Sequence, residues 1–240
     1  MPGTASSVLF LEGVTDMITT HHETSPARTV TGGRAGGWLM ALSPLGFAAL
    51  IVLMAGVFGR TIGTSTFAEI TRTQMDALGG AWAANRAIVA AAFGIVVIGA
   101  GLVAWAHRNA SPPAARAVAR ATVVLAAVNL AAGVLGLVDG LAAESFTTTT
   151  LGEDPAWMRS EALLPWAFGA IVVQILLLCV LLWLSRTRRK TGLVMGVLSL
   201  AVLIVVAFAA AFVPPFVVAL LACPIGISWL AGQRRRASLS

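Results

Sequence analysis

After residue 37 the chain is a series of long apolar runs broken by short polar segments. A helix rises about 1.5 Å per residue, so about 20 apolar residues cross a hydrocarbon core about 30 Å thick. Six runs qualify as spans, over 38–58, 87–106, 121–143, 163–184, 192–212 and 216–231, the last a little short of that length. The last two carry no charge between them and are divided by Pro214-Pro215, where two consecutive prolines end one helix and begin the next. The pattern predicts an all-α fold: a polytopic integral membrane protein, built as a bundle of six transmembrane helices over 38–232.

The connections carry structure of their own. Thr66 with Glu69 forms a capping box, after which Phe67, Ile70, Gln74, Ala77 and Leu78 recur at helical spacing until Gly79-Gly80. This predicts a short external amphipathic helix lying on the bundle. Asp154-Pro155 reads as an N-cap followed by proline at the first helical position, which starts the fourth helix ahead of its apolar run. Residues 1–37, rich in Ser, Thr and Gly, read as a disordered cytoplasmic tail, and 233–240 as a short basic one.

Composition agrees with this picture and narrows the function. Only 11% of the 240 residues are charged and 58% are hydrophobic, where a soluble domain carries about 25% charged residues. A soluble enzyme and a disulfide scaffold are poor fits. The net charge of +6 does not indicate nucleic acid, because the basic residues sit in short clusters between apolar runs instead of on one solvated face. Ten of the sixteen fall at 108–120, 186–190 and 234–236, and the alternate connections hold Arg60, Arg72, Arg86 and Arg159 against six acids. Since cytoplasmic loops carry the excess of Arg and Lys, both termini are expected in the cytoplasm of a cell membrane. Trp38, Trp105, Trp166, Trp183 and Trp229 near the span ends suit the headgroup level.

Candidate chemistry is sparse. Asp139 is the one ionisable residue inside an expected span, which makes it costly and a candidate site. Arg86, Arg159 and Glu161 lie near the same membrane face, so Asp139 either pairs with Arg86 or Arg159 or binds a ligand or proton. Asn129, Ala132, Gly133, Gly136, Asp139 and Gly140 share one helix face, suited to close packing with a neighbouring helix or to lining a cavity. Asn129 and Gln174 stand at similar depth on consecutive helices and are expected to hydrogen-bond. Gly192, Gly196 and Ser199 make a second small face, and Pro44 and Pro224 are expected to bend the first and sixth helices. His21-His22-Glu23 offers no metal-ligand geometry, and Cys179 and Cys223 read as small apolar residues.

No HExxH, GxSxG, Walker or glycine-rich nucleotide motif occurs, and no catalytic residues, metal site or cofactor are expected. The expected partners are the lipid bilayer and, through the glycine-rich faces, a membrane protein or a second copy of the chain. Two functions remain open: a non-enzymatic membrane protein, either a small transporter or an accessory or regulatory subunit, and a small intramembrane enzyme acting on a lipid-like substrate near the outer leaflet through Asp139 and external acids.

Overall fold

A computed structural model describes residues 26–63, 66–110, 112–209 and 215–237. Within them the chain is all-helical. Helix α1 spans Pro26–Leu53 and continues through a π-helical turn, Met54–Phe58, and a last turn, Gly59–Thr61. The short helix α2 covers Arg72–Leu78, and four long helices follow: α3 (Gly80–Ala106), α4 (Pro113–Ala142), α5 (Pro155–Leu184) and α6 (Arg189–Ala209). Helix α7, Pro215–Ala237, ends the described chain.

Five segments among the described residues are long and apolar enough to cross a membrane: Gly32–Thr61, Gly80–Ala106, Pro113–Ser145, Pro155–Leu184 and Phe216–Gln233. The run expected over 192–212 is helical as α6, and its end passes into 210–214, outside the described residues. Helices α3 and α5 supply much of the buried core, with Val96, Val97, Ala100 and Val103 against Phe168, Val172, Ile175 and Leu178. Helix α1 packs on α3 and α7, α4 on α3 and α5, and α6 on α5.

Without a hydrophobic driving force between helices in lipid, close backbone approach carries much of the packing. A Cβ on Gly226 of α7 would lie 2.5 Å from the Ala41 backbone nitrogen and 2.6 Å from the Gly37 carbonyl oxygen of α1. One on Gly36 would lie 2.6 Å from the Gly99 carbonyl oxygen of α3. Gly192 approaches α5 in the same way, at 2.6 Å from the Cys179 carbonyl oxygen. Proline is accommodated too. Pro44 has no N–H for the Met40 carbonyl, and the buried Ser43 hydroxyl donates to that oxygen at 2.8 Å instead.

These contacts correct one expectation. Residues 26–37, placed in a disordered tail by their glycines, belong to α1: Gly33, Gly36 and Gly37 are buried, and the Trp229 indole N–H donates to the Gly33 carbonyl at 2.6 Å. The glycines serve approach to α3 and α7, not flexibility. The rest of the expected tail, with His21-His22-Glu23, lies outside the described residues.

At one end of the bundle the connections 59–79 and 143–157 fold together into a cap. The helix expected over 67–78 is broken. Phe67–Glu69 forms one 3₁₀ turn, closed by the Thr66–Glu69 capping box, and Thr71 with Gln74 makes a second capping box that opens α2. Between them the extended backbone at Ile70 and Thr71 pairs with the other connection: Thr71 bridges to Thr150, and the Leu151 N–H donates to the Ile70 carbonyl at 2.9 Å. Asp154 caps α5, its Oδ1 accepting from the N–H groups of Ala156 and Trp157 at 2.9 and 3.0 Å. Phe58, Ile70, Met75, Trp82, Leu151 and Trp157 form the buried core of this cap.

The glycine contacts make a direct prediction. Gly226→Val should force α7 away from α1 at an overpacking cost of about 1–3 kcal/mol and lower the thermal midpoint in detergent. Gly133→Ala, whose new methyl group meets nothing within 4 Å, should leave the midpoint unchanged or raise it, since Gly costs about 0.5–1 kcal/mol in a helix relative to Ala.

Candidate functional site

Between α3, α4 and α5 lies a cavity of about 340 Å³. Its walls are mostly apolar, and its polar lining comes from Arg86, Asn129 and Ser160. Glycines make the space. Gly94 of α3 and Gly133 and Gly136 of α4 line it, and a Cβ on any of the three would meet nothing within 4 Å. The small face read on the third span therefore faces open volume at Gly133 and Gly136 and not a packed helix. Val128, Val134 and Trp166, also in the lining, are exposed on the outside of the bundle, so the cavity sits at its flank.

Arg86 stands at the cap end. Helix α3 starts at Gly80, ahead of the apolar run, which places Arg86 in its second turn and one helical turn beyond Trp82. The guanidinium carbon lies 4.2 Å from the Trp82 ring centroid, 4.9 Å from that of Trp157 and 5.4 Å from that of Phe67. Those rings contact one another, Trp82 and Trp157 at 5.9 Å and Phe67 with Trp157 at 6.0 Å. A cation over an aromatic face is stabilised by the ring quadrupole by about 0.5–2 kcal/mol, more as water is excluded. Nε and Nη2 of Arg86 are buried with no hydrogen-bond partner. Gly140 makes room for the side chain, since a Cβ there would lie 2.9 Å from Arg86 Cδ. The Trp82 indole N–H donates to the Gly140 carbonyl at 2.9 Å, fixing α3 to α4 beside it.

The four residues grouped as a candidate site separate. Asp139 pairs with Arg159 at 3.1 Å, and Arg86 turns away from it into the rings. The reason is angular: positions 139 and 140 are about 100° apart around α4, and Arg86 crosses over the side chain-free Gly140. Arg159 is 61% exposed and Asp139 21%, so water screens the pair and limits it to about 0.2–1 kcal/mol. Glu161 is exposed and acts on Arg86 only through its charge. Neither Asp139 nor Glu161 lines the cavity.

Sequence reasoning missed the cage because Arg86 was counted with a connection instead of a helix. The usable signal was Trp82 and Arg86 at the i, i+4 spacing, together with the recurrence of Ala-Trp at 81–82 and 156–157, whose two tryptophans meet.

At the cavity's other end the lining includes Asn129, which is held by Gln174. The Asn129 side-chain amide donates to Gln174 Oε1 at 2.9 Å, and the Gln174 amide donates to the Val97 carbonyl at 2.9 Å. Both side chains are buried, and three helices share one polar chain. Leucine at either position alone should strand a polar group where no water replaces it. The double variant should therefore lose less stability than the sum of the single variants, by about 0.6–2 kcal/mol in a thermal double-mutant cycle; additive losses would show the amides to be independent. Comparison of the chain with protein-family models, with curated proteins and with solved structures gives no match.

Proposed function

We propose that this chain is a non-enzymatic membrane protein of six spans, with both termini and the connections 107–112 and 185–188 in the cytoplasm and the cap outside. It serves as an accessory or regulatory subunit that holds a ligand at the flank of its bundle. The observation that carries this reading is the chemistry of the cavity: it offers a cation, an amide and a hydroxyl, with no carboxylate in its lining. Such a site can bind and orient but lacks the acid and base that proton transfer needs.

Against the enzymatic alternative, three of the acids near the cap are already engaged. Asp139 is engaged by Arg159, Asp154 by the N-terminal N–H groups of α5, and Glu153 by the Thr149 N–H. Among the described residues no three of His, Cys, Asp and Glu come together. A transporter reading is weakened at mid-span, where Asn129 and Gln174 use their amides on one another and on Val97, leaving no ionisable group to couple a flux. The exposed apolar residues of α4 and α6, among them Val124, Val138, Leu193, Val197 and Ile204, suit contact with lipid or a membrane-protein partner.

Single cysteines placed in a variant lacking Cys179 and Cys223 test the arrangement. A membrane-impermeant thiol reagent applied to intact cells should label Thr148→Cys and spare Thr187→Cys and Ser238→Cys; labelling of the latter two from outside would overturn the topology. Incubated with a membrane lipid extract, the purified protein should leave every lipid unchanged by mass spectrometry. A product formed by the protein and lost in Asp139→Asn would establish the enzyme instead.

A further inference from the structure

We infer that the cavity between α3, α4 and α5 takes one acyl chain of an anionic phospholipid, with the phosphate held against Arg86. The inference rests on the proposed membrane reading and adds the ligand class. Length comes first. The lining runs along α3 from Arg86 to Val97 and along α5 from Ser160 to Ile171, which at the helical rise is about 16 Å. That is about one leaflet, half of a hydrocarbon core about 30 Å thick. Asn129, hydrogen-bonded to Gln174, lines the deep end, and Trp166, 80% exposed, stands at the flank where a chain enters from the bilayer.

Charge complements shape. Among the described residues no acid lies within ion-pair distance of Arg86, and two of its guanidinium nitrogens are buried without a hydrogen-bond partner. The aromatic rings stabilise the cation without supplying a counter-ion, and the charge of Glu161 reaches it without an ion-pair contact, so the one charged side chain in the cavity lining is a cation with no carboxylate against it. An anionic head supplies a counter-ion in contact, and guanidinium is well matched to phosphate. A zwitterionic head brings its own cation and gains less.

The other occupant that the glycines suggest, a helix of a second copy, is an outcome of the test below. The glycines at 94, 133 and 136 keep the path of one chain open, since a Cβ at any of them would meet nothing within 4 Å. These positions also provide the test, because a Cβ added there meets no protein atom within 4 Å and a longer side chain grows into the cavity.

The full chain, purified in a non-ionic detergent, is mixed with phosphatidylglycerol or phosphatidylcholine of identical acyl chains, and bound lipid is counted by native mass spectrometry. The expected result is one phosphatidylglycerol per chain, held at least ten-fold more strongly than phosphatidylcholine. Gly133→Leu/Gly136→Leu should fold with an unchanged or higher thermal midpoint and lose the bound lipid, and Arg86→Met should bind both lipids equally. Equal binding of the two lipids by the unaltered chain, or phosphatidylglycerol retained by the glycine double variant, would overturn the assignment. So would a dimer that the double variant abolishes, which would place a second copy against this flank. Binding in detergent does not depend on which way the chain faces, so a failed topology and a failed lipid site give different results.

Discussion

A guanidinium held among three aromatic rings organises one whole end of this protein. Two guanidinium nitrogens of Arg86 are buried with no hydrogen-bond partner, and a charge taken out of water in this way is costly. Its stabilisation is drawn from three separate parts of the chain: Trp82 on its own helix, Trp157 at the start of α5 and Phe67 in the 3₁₀ turn. Those rings come from both connections and from α3, and so the cation links the two connections to the bundle. The bridge between Thr71 and Thr150, the bond from Leu151 to Ile70 and the N-cap at Asp154 all position those rings. The same side chain forms the charged end of the cavity, so that the cap and the candidate site share one residue.

Glycine does two opposite things below that cap. At Gly36, Gly99, Gly192 and Gly226 it lets backbones approach to distances where a Cβ would collide, and these contacts hold α1, α3 and α7 together and α6 to α5. At Gly94, Gly133 and Gly136 nothing approaches, and the missing side chains are a volume. What stands opposite each glycine on the neighbouring helix distinguishes the two uses. On the proposed membrane reading, a flank left open in this way is tolerable because hydrocarbon fills apolar space that water would not.

How much was legible in the sequence follows from the range of each interaction. Runs of apolar residues fix the long helices, and Thr66–Glu69 and Asp154-Pro155 mark their caps, because these features depend on near neighbours in the chain. Asn129 and Gln174 were legible as a pair because depth along two helices is nearly all that decides their meeting. The start of α1 was not, since Thr31 to Gly37 reads as a flexible linker until Trp229 and Gly99 are placed beside it. The partner of Asp139 was narrowed to two arginines, and the choice between them turned on the absent side chain of Gly140. The break in the external helix at Ile70 comes from pairing with Leu151, about eighty positions away, which no local pattern records.

The central claim, that the caged cation of Arg86 holds the cap to the bundle, is tested most directly by hydrogen–deuterium exchange on the full chain and on Arg86→Met, which keeps an unbranched apolar stem and removes the charge and the donors. The account predicts that amides in 66–79 and 143–157 exchange at least ten-fold faster in the variant, while those around Val97, Asn129 and Gln174 keep their protection. Unchanged exchange in both cap segments would contradict it, and would mean that the cap stands on its own apolar core without the cation.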